Sequence, residues 1–217
     1  MKKFELTNEF VTNMFGTKLF RIRALVEFGD VEAGELGGYV EKESNLGHDD
    51  NAWVYGDARV YDNALVYDNA RVYGDAQVSG DARVYDNARV YGDAWVYGDA
   101  WAYGNARVCG NARVYDNARV YGDAWVYGNA RVCGDALVCG DARVCGNGDY
   151  AYAHGFGSVN RTTTFFRLKD GGVGVRCGCF YGTLAQFRDK IRETHGETKK
   201  AQEYLMLADL MKLRFEK

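Results

Sequence analysis

The chain has 217 residues, of which 47% are hydrophobic and 26% charged, with a net charge of −3, 27 Gly and no Pro. That composition excludes a Pro-rich linker, collagen or a mucin-like stalk, and it holds enough apolar material for one or two folded domains. No run reaches the roughly 18 apolar residues of a membrane span. After Lys2 and Lys3 the start reads Phe-Glu-Leu-Thr-Asn-Glu, too polar for a signal-peptide core, so a cytoplasmic location without membrane contact is expected.

Residues 1–50 carry 6 basic and 10 acidic side chains. Phe4-Glu-Leu-Thr and Leu19-Phe-Arg-Ile-Arg-Ala-Leu alternate as strands do. The stretch from Gly34 to Leu46 reads as an irregular first coil that leads into a repeat tract.

From Asn51 to Gly146 the sequence is an unbroken run of 16 six-residue units, [Asn/Asp]-Ala-x-Val-[Tyr/Cys]-[Gly/Asp]. Position two is Ala in every unit and position four is Val in all but one, where Ala102 stands. In an extended chain Ala and Val point to one side while x and the aromatic point to the other, which predicts strands about four residues long. The Gly or Asp followed by Asn or Asp tolerates left-handed backbone and turns a corner every sixth residue. So short a strand cannot bury its apolar face alone. Stacked coils with Val and Ala along the axis are the solution, and both open ends need caps. Residues 1–50 are expected to supply the first.

Read from Val, the unit Val-Tyr-Gly-Asp-Ala-Arg resembles the hexapeptide repeat of left-handed parallel β-helices, the hexapeptide-transferase-like superfamily. The resemblance implies a mainly β fold, a left-handed triangular prism with three units per coil and about 5–6 coils over residues 51–146. It also implies trimers. Enzymes of that superfamily use a His general base near a projecting loop, or three His on zinc. Here His48, His154 and His195 all lie outside a loop-free tract, which argues against catalysis of those types, and neither metal nor cofactor is expected.

The outward positions give the tract its individuality. Position three holds nine Arg, two Leu, one Gln and all four Trp: Trp53, Trp95, Trp101 and Trp125. Position five holds eleven Tyr, four Cys and Ser79. Every Trp is therefore predicted to face out, Trp53 and Trp125 on one face, Trp95 and Trp101 on adjacent faces. Two readings stand side by side. Either Tyr and Arg simply stack into a solvated wall, or Trp95, Trp101 and Trp125 with Trp53, Tyr97 and Tyr103 mark a contact with a protein partner or a second copy. With 9 Arg against 12 Asp the tract has no basic stripe, so nucleic acid is not an expected partner. The six Cys, at 109, 133, 139, 145, 177 and 179, form no CxxC pair and are expected to be free thiols.

Residues 147–217 carry 12 basic against 8 acidic side chains. Thr162 to Leu168 and Val173 to Tyr181, joined by Lys-Asp-Gly-Gly, read as a hairpin. Thr183 with Gln186 forms a capping box that opens a helix ending near His195-Gly196, and a second helix runs from about Lys199 to Phe215. This ββαα region is an oligomerisation or binding domain, because the apolar belt of its last helix is wider than one face needs and suits burial between protomers or against the prism. Arg161, Thr162, Thr163, Thr164, Arg176, Cys177, Cys179 and His195 gather donors, thiols and an imidazole among glycines. Either they are β-favouring Thr, small core Cys and a His at a helix end with a structural role alone, or they form the candidate site for a small anion or nucleotide.

Asn-Ala-Arg-Val-Tyr-Gly repeats together with Asn-Arg-Thr-Thr-Thr and Cys-Gly-Cys-Phe-Tyr-Gly-Thr in the tail resemble hexapeptide-repeat proteins of bacteriophages and their bacterial hosts, a family that supplies no catalytic residues to carry over. The expected function is a non-enzymatic, trimeric scaffold that presents an aromatic and basic prism to a host protein, by analogy as an inhibitor of host defence. The rival expectations are an acyl- or nucleotidyl-transferase with its site in the tail, and a structural part of a virion.

Overall fold

The structure, a computed structural model, describes residues 2–156 and 161–216. Every Ala at position two and every Val at position four of the repeat, with Ala102 in its one variant unit, is fully buried. Each unit contributes one strand of two residues, from β4 (Trp53–Val54) to β19 (Arg143–Val144). The strands are shorter than the four residues expected, because the left-handed corner interrupts the pleat before a longer ladder can form. The backbone bonds still reach one residue past each end: Tyr73 N–H donates to Val90 O at 3.0 Å.

Each strand pairs in parallel and in register with the strand 18 residues on, so that Arg71, Arg89 and Arg107 lie in one column. Three parallel sheets result. The first face carries Arg59, Gln77, Trp95, Arg113 and Arg131; the second carries Trp53, Arg71, Arg89, Arg107, Trp125 and Arg143; the third carries Leu65, Arg83, Trp101, Arg119 and Leu137. A one-residue slip would bury Arg and Tyr in place of Ala and Val, which fixes the register.

Corners show how the sixth position is chosen. Asp86 sits at φ 56°, a region that is strained for a residue with a side chain. Its carboxylate accepts a hydrogen bond from Gly104 N–H one coil on, at 3.0 Å. Asp62, Asp68 and Asp116 repeat the arrangement with the backbone N–H of Gly80, Asp86 and Gly134. Where Gly replaces Asp the strain disappears, and so does the bond.

At the lower end, β1 (Phe4–Thr12) and β2 (Lys18–Ala24) form an antiparallel hairpin that continues the first face through β3 (Leu36–Val40). Lys3 Nζ closes the open rung by donating to the carbonyls of Asp50 at 3.3 Å and Ala52 at 2.9 Å. The repeat pattern places Trp53 outside the prism, and here the structure differs: its indole is fully buried. Phe28 and Phe4 close over it at centroid distances of 5.3 and 6.1 Å, and His48 stacks on Phe4 at 4.6 Å. It points away from the axis, but into the cap.

The upper end is more elaborate than the single hairpin expected. β20 (Tyr150–Phe156), β21 (Arg161–Arg167), β22 (Val173–Cys177) and β23 (Phe180–Thr183) form a four-stranded antiparallel sheet, followed by α1 (Leu184–His195) and α2 (Lys199–Phe215). Alternation sends Thr164 and Phe166 down onto the last coil, where Phe166 joins the prism core and Thr164 Oγ1 accepts from Leu137 N–H at 2.9 Å. Phe165 and Val175 point up at the helices. Thr183 Oγ1 accepts from Gln186 N–H and Gln186 Oε1 from Thr183 N–H, completing the capping box of α1. One side of the α2 belt packs on the tail sheet and not on the prism. Ala201, Tyr204, Ala208, Met211 and Phe215 cover the tail sheet, while Met206, Leu210 and Leu213 stay 71%, 55% and 70% exposed.

Candidate functional site

Two places stand out, the prism faces and a pocket in the tail. On the third face, Tyr67, Tyr85, Tyr103 and Tyr121 stack with centroids 5.0, 4.9 and 4.9 Å apart and planes within 4°. The 18-residue register imposes this spacing, which is the distance between hydrogen-bonded strands. Trp101 beside the column lies between the guanidinium groups of Arg83 and Arg119, at 5.1 and 4.5 Å, and meets Tyr85 and Tyr103 edge-on. Trp125 on the second face lies between Arg107 and Arg143 at 4.7 and 4.9 Å. On the first face Arg113 covers Trp95 at 5.0 Å, and Tyr97 stacks on Tyr115. Trp95, Trp101, Trp125, Tyr97 and Tyr103 are all half-buried. The stacked wall is present, and it leaves the indoles of Trp95, Trp101 and Trp125 partly exposed.

Packing also alters the phenols. Burial, followed by the neighbouring Tyr103 and Tyr67, pushes the Tyr85 hydroxyl up to about 12. Burial and a bond to Cys109 do the same to Tyr91. For Tyr115 the bond to Cys133 is the larger cause and burial the second, again to about 12. Burial raises the Cys139 thiol, against the bond from Tyr121 and the nearby Arg176.

In the tail the structure divides the eight candidate residues. Arg161, Cys177, Cys179 and His195 line one pocket of about 250 Å³ with Phe180, Phe187, Lys190, Ile191, Thr194 and Tyr204. Thr163 is buried behind it and donates from Oγ1 to Cys177 Sγ at 3.2 Å. Thr162, Thr164 and Arg176 are elsewhere, because alternate residues of β21 and β22 point through the sheet to the prism. Thr162 Oγ1 meets His154 Nδ1 at 2.8 Å, and Arg176 Nη1 donates to Cys179 O at 3.3 Å, its guanidinium near Tyr103, Tyr121 and Cys139. Arg161, at the start of β21, borders this pocket and an adjoining cleft with Thr162, Arg119 and Asp135, whereas Arg176 lines neither, so the two Arg do not share one site. Among the described residues no group of three His, Cys, Asp or Glu is placed to hold a metal, and all six Cys are free.

Sequence reasoning missed the pocket walls. Phe187, Lys190, Ile191 and Thr194 follow, with the already named His195, the three- and four-residue steps of one helix face, and that spacing was the available signal. Tyr204 comes from the next helix, and only tertiary packing brings it in.

Residues 52–67, 58–74, 65–80, 76–88, 82–98, 88–104, 106–122, 112–128 and 124–140 each match the YdcK Beta solenoid repeat family. No curated protein matches the chain. No helix among the described residues is long and apolar enough to cross a membrane. With a six-stranded parallel sheet built by consecutive coils and the family's repeat recurring along them, this chain is a β-helix repeat protein of the β-solenoid kind.

Proposed function

We propose that this protein is a non-enzymatic binding scaffold, a left-handed trimeric prism whose Trp, Arg and Tyr faces engage a protein partner. One observation carries the reading: Trp95, Trp101 and Trp125 are half-exposed yet held in place by cation–π contacts from Arg side chains in neighbouring coils. Side chains already fixed in one conformation lose little further entropy on binding, and Trp, Tyr and Arg dominate the energetics of protein contacts. The axis is filled by Ala and Val, so the prism has no interior in which to hold a substrate.

The resemblance to phage and prophage repeat proteins makes a host-cell protein, including a defence component, the first partner to test. A photo-crosslinking residue at position 101, introduced in cells, should capture one predominant protein. Trp101→Ala should weaken a complex captured on the third face by at least about tenfold, and Trp95→Ala one captured on the first, each with only the small loss of thermal stability that its Arg contacts account for. Capture of no specific protein from positions 95, 101 and 125 alike would remove this reading.

A further inference from the structure

The tail pocket has two chemically distinct zones. Its floor is apolar: Phe180, Phe187, Ile191, Tyr204 and the Cys177 side chain. Phe187 lies 5.4 Å from Phe180 and 5.8 Å from Tyr204, and His195 stacks on Tyr204 at 5.9 Å. The polar atoms within this floor are already satisfied, since Thr163 donates to Cys177 Sγ, Cys177 to the Tyr204 hydroxyl at 3.8 Å, and that hydroxyl to Phe156 O at 3.2 Å. A guest entering the floor meets no unmet hydrogen bond there, only ring faces and edges.

The mouth is the opposite. Arg161, Lys190 and His195 line it, with no Asp or Glu among its described lining residues; Asp135 lies in the adjoining cleft that Arg161 also borders. Lys190 is tied to Glu193 on the outer surface at 2.9 Å. The Arg161 side chain is exposed, and its guanidinium makes no hydrogen bond or ion pair among the described residues. It lies across the turn between β22 and β23 over Gly178, where an added Cβ would collide with its Nη1. Gly178, at φ +58°, thus both makes the turn and leaves room for the guanidinium at the pocket.

We infer that this pocket binds a small amphipathic anion, an aromatic ring joined to a carboxylate or phosphate, with the ring among Phe180, Phe187 and Tyr204 and the acid at Arg161. The pocket exceeds the roughly 150 Å³ that accepts a bare benzene ring, which leaves space for a ring with a short acidic arm. A guanidinium without a partner among the described residues favours an oxyanion over a neutral head, because the fork can make two charge-assisted bonds. Occupancy of this pocket is independent of the prism's partner.

Calorimetry on the full chain with 3-phenylpropanoate, phenyl phosphate, 3-phenylpropanamide and inorganic phosphate tests it. Both aromatic anions should bind at least about tenfold more tightly than the amide and than phosphate alone. Arg161→Gln, which removes the charge of an exposed side chain, should erase most of that preference without lowering the melting temperature; Gly178→Ala should erase it too while also lowering the melting temperature, because its φ of +58° disfavours a side chain. Preference for the carboxylate over the phosphate, or the reverse, identifies the acid. Absence of binding at about 10 mM, equal binding of the amide, phosphate binding as tightly as the aromatic anions, or an unchanged preference in Arg161→Gln would overturn the site.

Discussion

At position 86 the Asp side chain both strains its own backbone and repairs the next coil by accepting from Gly104 N–H. Asp86→Ala keeps the strain and loses the bond, so it should lower unfolding free energy by about 1–2 kcal/mol. Asp86→Gly loses the bond but relieves the strain, and is expected to fall between Ala and the parent; chemical denaturation with constant m would check the order. Trp53 is the sharper case. Its ring is sealed by Phe4 and Phe28, while its Nε1 is buried without a partner. Trp53→Ala should cost about 3–5 kcal/mol through the void it leaves. Trp53→Phe, which fills much of the space and removes the orphaned N–H, should cost clearly less. Urea titration of the two variants separates the outcomes.

At the scale of elements, the Tyr columns couple the coils to pH. Unfolded tyrosine ionises near its ordinary value of about 10, whereas Tyr85, Tyr91 and Tyr115 are held up at about 12. Between those values the unfolded chain has lost protons that the folded one retains, so stability falls as pH rises. The contribution is fully present below pH 10 and disappears as pH passes through about 12. Tyrosinate absorbance should therefore rise together with loss of β-sheet circular dichroism, above the range in which the denatured chain titrates. Titration of the phenols near 10 with the fold intact would contradict the packing described for the columns.

The repeat strands were legible because one residue pattern served all 16 units. The tail was legible where local chemistry ruled: the capping box, the end of α1 at Gly196 and the bounds of α2 follow from the residues at those positions. Strand β20 was not, since Tyr-Ala-Tyr-Ala-His-Gly-Phe contains small and polar residues that become a strand only by pairing with β21. The grouping of Arg161 with Arg176 failed for a similar reason. Both belong to strands, but which face each takes depends on a register that no single segment encodes.

For the molecule as a whole, the proposed trimer is tested at the exposed row Met206, Leu210 and Leu213 beside the exposed Tyr152. Light scattering on the parent chain should give three times the monomer mass, and Leu210→Glu with Leu213→Glu should return it to one. A parent that is monomeric at all concentrations would remove the oligomer from the proposed function and leave the single prism as the binding unit.

The constant 18-residue coil has a geometrical consequence of its own. Because three corners bring the chain back above its start, the prism is a ruler graduated in steps of about 4.8 Å. Removing one full coil shortens the ruler by one step and returns the tail to the same azimuth relative to the cap. Removing a single six-residue unit instead turns the tail by a third of a revolution and sets it above a different face. Changes of length in whole coils therefore preserve which face the tail pocket and the cap hairpin share, and changes in single units re-aim one end of the molecule against the other.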